Sequence, residues 1–161
     1  MNEARGIDTR AGFRQAVLDA LAAALERGAR EMWWVDASFA AWPLDDPALI
    51  ESLDRWVHLP QRRLQLFTHD FTALARAHPR FVQWRRHWSH CVLGRRPLDI
   101  EPAAIETLLL TDAATLLVLH DPSRFRGVLS QSGIEAGQAR LRVDAITQRS
   151  EEAFTTVVLG I

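Results

Sequence analysis

Two His-Asp pairs, His69-Asp70 and His120-Asp121, each follow a short apolar run, and a third histidine, His90, adjoins the only cysteine, Cys91. Histidine beside a carboxylate suits proton transfer or nucleophilic attack. Arginines Arg85, Arg86, Arg95 and Arg96 lie on either side of His90, and a guanidinium holds phosphate oxygens in a two-pronged grip. Asp112 stands between two apolar runs, Leu108–Leu110 and Leu116–Leu119. Ligands gather beyond strand ends in sheets with crossover helices, so both His-Asp pairs are placed to line a cleft. Residues of a surface turn are the commoner explanation for such pairs.

The missing residue types close off other chemistry. All 19 basic residues are arginine, which excludes a phosphate-loop lysine, a Schiff base and a lysine general base. One cysteine permits neither an internal disulfide nor a multi-cysteine metal centre. His87, His90 and Cys91 suggest metal ligands, but a strand starting near Ser89 points them apart and no fourth ligand follows at a usable spacing. No metal or other cofactor is expected. There is neither a Gly-x-Ser-x-Gly elbow nor a glycine-rich phosphate loop.

Charge is unevenly distributed. The chain has a net charge of −1, yet residues 71–98 carry six arginines and no acid. Within that segment Phe81, Trp84, Arg85 and Trp88 interleave aromatic rings with cations, a pattern that stacks on and neutralises nucleic acid. The same spacing also makes a core-facing helical stripe. No apolar stretch approaches the roughly 18 residues that cross a bilayer, and the N-terminus lacks a signal-peptide pattern. A cytoplasmic protein without a membrane partner is therefore expected.

Elements able to position these residues are visible in the periodicity. Residues 10–27 place Phe13, Val17, Leu18, Leu21 and Leu25 on one helical stripe, with Asp8 or Thr9 as cap and Gly28 as stop. "REMWWVDASF" predicts a strand ending near Asp36, and Asp46-Pro47 opens a second helix. "RRLQLFTHD" is a second strand, 71–88 a helical tract broken at Pro79, and "SHCVLGRRP" a third strand. The stretch 105–124 predicts a hairpin. "RFRGVLSQ" and "ARLRVDAITQ" predict further strands around a polar loop, "SGIEAGQ", and "SEEAFTTVVLGI" a short helix capped by Ser150. Two crossover units followed by strands give an α/β domain, a mixed β-sheet with flanking helices. Its length suits one domain over residues 1–161, with residues 1–9 expected to be flexible.

This order, with the phrases "EMWWVDASF", "WPLDDPAL", "HPRFVQWRRHWSHCVLGRR" and the hairpin, resembles the phospholipase D-like superfamily, most of all its small single-domain versions found in bacteria. In active members the hairpin carries His-x-Lys-x4-Asp. The resemblance implies that the histidine attacks phosphorus, the lysine holds phosphoryl oxygens, and two such motifs meet across a two-fold axis. With Asp112 as the aspartate, Ile105 takes the histidine position, Thr107 the lysine position, and Leu119 and His120 the following Gly-Ser pair. Only the aspartate matches.

The resemblance implies a non-catalytic phospholipase D-like domain that acts as a binding or oligomerisation module. A homodimer is expected, with a protein partner or a phosphate-bearing anion held among Arg85, Arg86, His90, Arg95, Arg96, Asp112 and His120. A nucleic-acid binder using the arginine-rich 71–98 segment is the second reading. A residual phosphodiesterase with a nucleophile among His69, His90 and His120 is the third.

Overall fold

The computed structural model describes residues 4–154. Eight strands form one mixed sheet in the order β1-β7-β6-β5-β2-β3-β4-β8. Its centre is parallel: β2 (Glu31–Val35), β3 (Arg63–Phe67) and β4 (Val92–Pro97) run the same way. Crossovers through α2 (Pro47–Val57) and the helix pair α3 (Phe71–Ala77) and α4 (Pro79–His87) link them. Antiparallel strands extend the sheet on both flanks. The hairpin β5 (Thr107–Thr111) and β6 (Leu116–Asp121) continues from β2 and is followed by β7 (Arg126–Ser130) and β1 (Ala4–Ile7). On the other side β8 (Ser150–Ala153) pairs with β4.

Strand alternation divides the core into two layers. Met32, Trp34, Leu64, Leu66, Leu109 and Leu117 face α1 (Arg10–Arg27) and the crossover helices. Trp33, Val35, Phe67, Leu108, Leu110 and Val118 face α5 (Gly133–Gln148). Helix α1 follows its sequence signals closely: the Thr9 side chain accepts from Gly12 N at 2.9 Å, and Gly28 ends the helix in the left-handed conformation at φ 69°. Pro79 divides α3 from α4, as its missing N–H requires.

Three segments differ from expectation. Residues 139–148, which the sequence predicts as a strand, and the predicted loop before them together form α5. Ala139, Leu141 and Val143 alternate like strand residues, but Leu141 is 71% exposed and the buried positions are Ala136, Ala139 and Val143. A helical stripe prevails, started by Ser132, whose hydroxyl accepts from Glu135 N at 3.3 Å. "SEEA" forms β8 rather than the start of a helix, because Gly94 and its neighbours on β4 offer an open edge. The remainder of the predicted C-terminal helix, from residue 155, lies outside the described residues. Ala4–Ile7, within the 1–9 segment expected to be flexible, pairs antiparallel with β7.

The β4–β8 junction has little room to spare. Phe71 and Phe154 stack with ring centroids 4.9 Å apart over Gly94, where an added Cβ would collide with both side chains. Glycine is required there by the close approach, not by its backbone angles.

Candidate functional site

Beyond the carboxyl end of β2 the chain must turn back toward α2, and Asp36 shapes that turn. Its Oδ2 accepts from Ser38 N at 3.2 Å and Phe39 N at 2.7 Å, while Oδ1 accepts from Thr107 Oγ1 at 2.5 Å. The last bond ties the β2 exit to the start of β5. Phe39 is held at φ 62°, a left-handed backbone unusual for a bulky side chain, and its carbonyl accepts from His78 Nε2 at 2.8 Å.

The turn after β2 and the start of β5 border a cavity of about 360 Å³. Asp36, Ser38, Thr107 and Ser123 supply its polar groups, and Phe13, Trp42, Ile105, Leu119 and Phe125 much of its apolar wall. Phe125 also has a left-handed backbone, at φ 54°. Such conformations persist only where surroundings hold them, and they concentrate at functional sites. The cavity thus lies where parallel-sheet proteins place ligands, at the carboxyl end of β2, against the antiparallel neighbour β5. Ile105 and Thr107, set by the family resemblance at the nucleophile and lysine positions, both line it. Ile105 has no reactive atom, and Thr107 carries no charge with which to neutralise a phosphoryl oxygen.

The predicted site residues do not converge on this cavity. Asp112 sits in the β5–β6 turn at the opposite end of β2, where its Oδ1 accepts from Arg30 N at 2.9 Å. His120 is exposed near the end of β6 and borders a shallow groove shared with Glu106, Glu135 and Arg142 of the α5 side. Arg85 is only 4% exposed. Its Nε donates to Val92 O at 2.8 Å, its Nη1 donates to Phe154 O, and its guanidinium lies 4.4 Å from the Phe154 ring centroid. Burial lowers the Arg85 pKa from the usual arginine value.

Arg95 and Arg96 bind β8. Arg95 donates to Ser150 Oγ at 2.6 Å and Ser150 O at 3.1 Å, and Arg96 pairs with Glu151 at 3.5 Å. Arg86 and His90 are exposed on the α4 side, and the His90 ring is 6.1 Å from that of Trp88. His69 Nε2 donates to Ile100 O at 2.6 Å, which anchors the loop after β4. Cys91 is half-buried, and burial pushes its thiol pKa up, so little thiolate is present at neutral pH. Among the described residues, no three His, Cys, Asp or Glu side chains gather to hold a metal ion. No helix among them is long and apolar enough to cross a membrane.

Asp36, Ser38 and Trp42 escaped the sequence reading. The usable signal was position: "VDAS" ends a buried strand with a carboxylate, just where a parallel sheet presents its ligands.

Known structures share this fold. Nuc from Salmonella typhimurium, a phospholipase D family member, aligns with a TM-score of 0.60 at 9% identity over 95% of this chain and 99% of its own. NucT from Helicobacter pylori aligns with a TM-score of 0.59 at 11% identity over 95% of this chain and 100% of its own. TrmBL2, an archaeal chromatin protein whose structure shows a novel mode of DNA binding, aligns with a TM-score of 0.65 at 11% identity over 93% of this chain. The present chain spans about half of TrmBL2, 53%. The fold is phospholipase D-like. No curated protein matches the chain. A family model matches residues 13–156, most of the sequence, and the protein belongs to that family, the Domain of unknown function (DUF7931).

Proposed function

We propose that this chain is a phospholipase D-like domain that binds a ligand and does not cleave phosphodiesters. One observation carries the reading: the cavity bordered by Ile105 and Thr107 is open to a small molecule, yet among the described residues its only charged lining group is the Asp36 carboxylate. Both Asp36 oxygens already accept hydrogen bonds. A phosphate group entering there meets no cation. An uncharged, largely apolar ligand with a hydroxyl or amide fits the wall of aromatic rings and hydroxyls.

A screen of uncharged small molecules by thermal shift, followed by calorimetry, tests the reading. Ala103 is exposed at the cavity rim, so Ala103→Trp should fill the mouth and abolish binding without loss of fold. Turnover of bis(p-nitrophenyl) phosphate by the wild-type protein, lost on replacing His69, His90 or His120, would overturn the non-catalytic reading. Self-association is the second part of the proposal, because two domains of this superfamily meet across a two-fold axis. A monomer at all concentrations in sedimentation velocity removes that part.

A nucleic-acid reading has its own support in the fold shared with TrmBL2 and in the exposed Arg76, Arg80 and Arg86 on α3 and α4. It predicts DNA affinity that falls steeply with salt and weakens when these three become alanine. Salt-insensitive or absent binding ends it.

A further inference from the structure

Behind Trp42 lies a second groove, of about 460 Å³, between the start of α1, the loop before α2 and the α3–α4 junction. Its lining separates into donors and acceptors. Arg10, Arg14 and Trp42 border it with donor-bearing side chains, and Asp45, Asp46 and His78 with acceptor-bearing ones. Trp42 is 1% exposed and His78 5%. Trp42 Nε1 and His78 Nδ1 nevertheless have no hydrogen-bond partner, and an unsatisfied buried polar atom is costly. Trp34 Nε1 is also without a partner but borders neither cavity. What distinguishes this groove is that two of the residues bordering it carry an orphaned donor and an orphaned acceptor.

The His78 tautomer follows from its other nitrogen. Nε2 lies 2.8 Å from Phe39 O, a carbonyl that can only accept, so Nε2 carries the proton and Nδ1 of the neutral ring is an acceptor. The two arginines and two aspartates of the groove make no ion pair with one another, since no N···O approach within 4.0 Å joins them. Asp45 uses Oδ1 to accept from Arg80 N at 2.6 Å and Phe81 N at 3.2 Å, and Asp46 Oδ1 accepts from Ala48 N at 2.9 Å. Each aspartate has a second oxygen. A simple anion would satisfy the donors and be repelled by the two carboxylates; a simple cation would meet the reverse.

We infer that this groove binds a small zwitterion of the α-amino acid class, its carboxylate on Arg10, Arg14 and Trp42 Nε1 and its ammonium on His78 Nδ1, Asp45 and Asp46. Both orphaned atoms then acquire partners, and neither charged set is left opposed by its like. Burial lowers the His78 pKa, with Arg14 acting in the same direction and Asp45 and the Phe39 carbonyl against it. The ring therefore stays a neutral acceptor at pH 7. The groove shares Ala40 and Trp42 with the cavity beside Asp36, but Arg10, Arg14, Asp45, Asp46 and His78 border the groove alone, so either site can fail without the other.

Isothermal titration of the wild-type protein with each common α-amino acid at low ionic strength tests the inference, alongside the N-acetyl derivative and methyl ester of any that binds. At least one amino acid should bind, and each derivative, lacking one of the two charges, should bind about tenfold more weakly or worse. Arg14→Gln and Arg10→Gln should each weaken binding about tenfold, with circular dichroism and melting temperature near wild type. The inference is overturned if no amino acid binds, if an N-acetyl derivative or methyl ester binds as tightly as its parent, or if both arginine variants bind like wild type.

Discussion

The segment 71–98 and the opening turns of α1 both bring arginines close to aromatic rings, and the two sets end in opposite circumstances. In the first, Arg85, Arg95 and Arg96 find partners 55 to 69 residues away, in the β8 strand and Phe154. A local excess of positive charge in sequence is answered by distant carbonyls, a hydroxyl and Glu151. In the second, Arg10 and Arg14 stand in sequence among the acids Asp8 and Asp19, yet no carboxylate among the described residues pairs with either. Density of charge along the chain therefore says little about which cation is available to a ligand.

Substitutions should separate the two sets. Arg85→Ala leaves the Val92 and Phe154 carbonyls without their buried donor, so urea denaturation should show a loss on the order of 3 kcal/mol, the largest effect expected. Arg95→Ala, which removes two half-buried bonds to Ser150, should cost about 1.5 kcal/mol by the same measurement. Arg96→Ala breaks only an exposed pair with Glu151 and should cost roughly 0.5 kcal/mol or less. Arg14→Gln should change stability by no more than about 0.5 kcal/mol while changing ligand binding. If Arg14→Gln destabilised the fold as much as Arg85→Ala, the contrast between the two sets would disappear.

Acid sharpens the comparison from the side of histidine. His78 has a folded-state pKa lowered below 6.5 by burial, so the unfolded chain binds its proton first as pH falls. The contribution of the neutral ring to stability is complete above pH 6.5 and declines below it. The melting temperature of the wild-type protein should fall between pH 7 and pH 5.5, and His78→Asn should reduce that dependence. An equal pH dependence in both proteins would show that His78 is not its source.

Which of these features the sequence disclosed depends on how local their causes are. Thr9, the Phe13-Val17-Leu21 stripe and Gly28 define α1 within a single window, and Asp46-Pro47 opens α2 in the same manner. The central strands were legible because they are short, apolar and separated by helical periodicity. Helix α5 was not, since Ala139 and Val143 belong both to a two-residue period with Leu141 and to a helical stripe with Ala136, and only burial distinguishes the two. Ser150-Glu151-Glu152 has the chemistry of a helix start. Its pairing with β4 follows from Arg95 and Arg96 across the sheet, a relation no local window contains.

The candidate site was less legible still. Ile105 and Thr107 were marked as departures from a catalytic pattern, and both line the cavity. Asp36 and Trp42 carry no motif, and His78 precedes Pro79 as an unremarkable helix-break residue. Their significance rests on unpaired atoms and on a turn held from two sides, which are properties of packing alone.

The order of the sheet has a consequence for aggregation. Its two outermost strands, β1 and β8, are each four residues long and come from opposite ends of the described chain. Each covers a longer neighbour whose backbone would otherwise present a row of unpaired amides and carbonyls. Arg5 on β1 and Glu151 and Glu152 on β8 place charge on those borders, which discourages a further strand from adding. Proteolytic trimming on either side would thus leave the hydrophobic layers in place while exposing β7 or β4 as a template for intermolecular pairing.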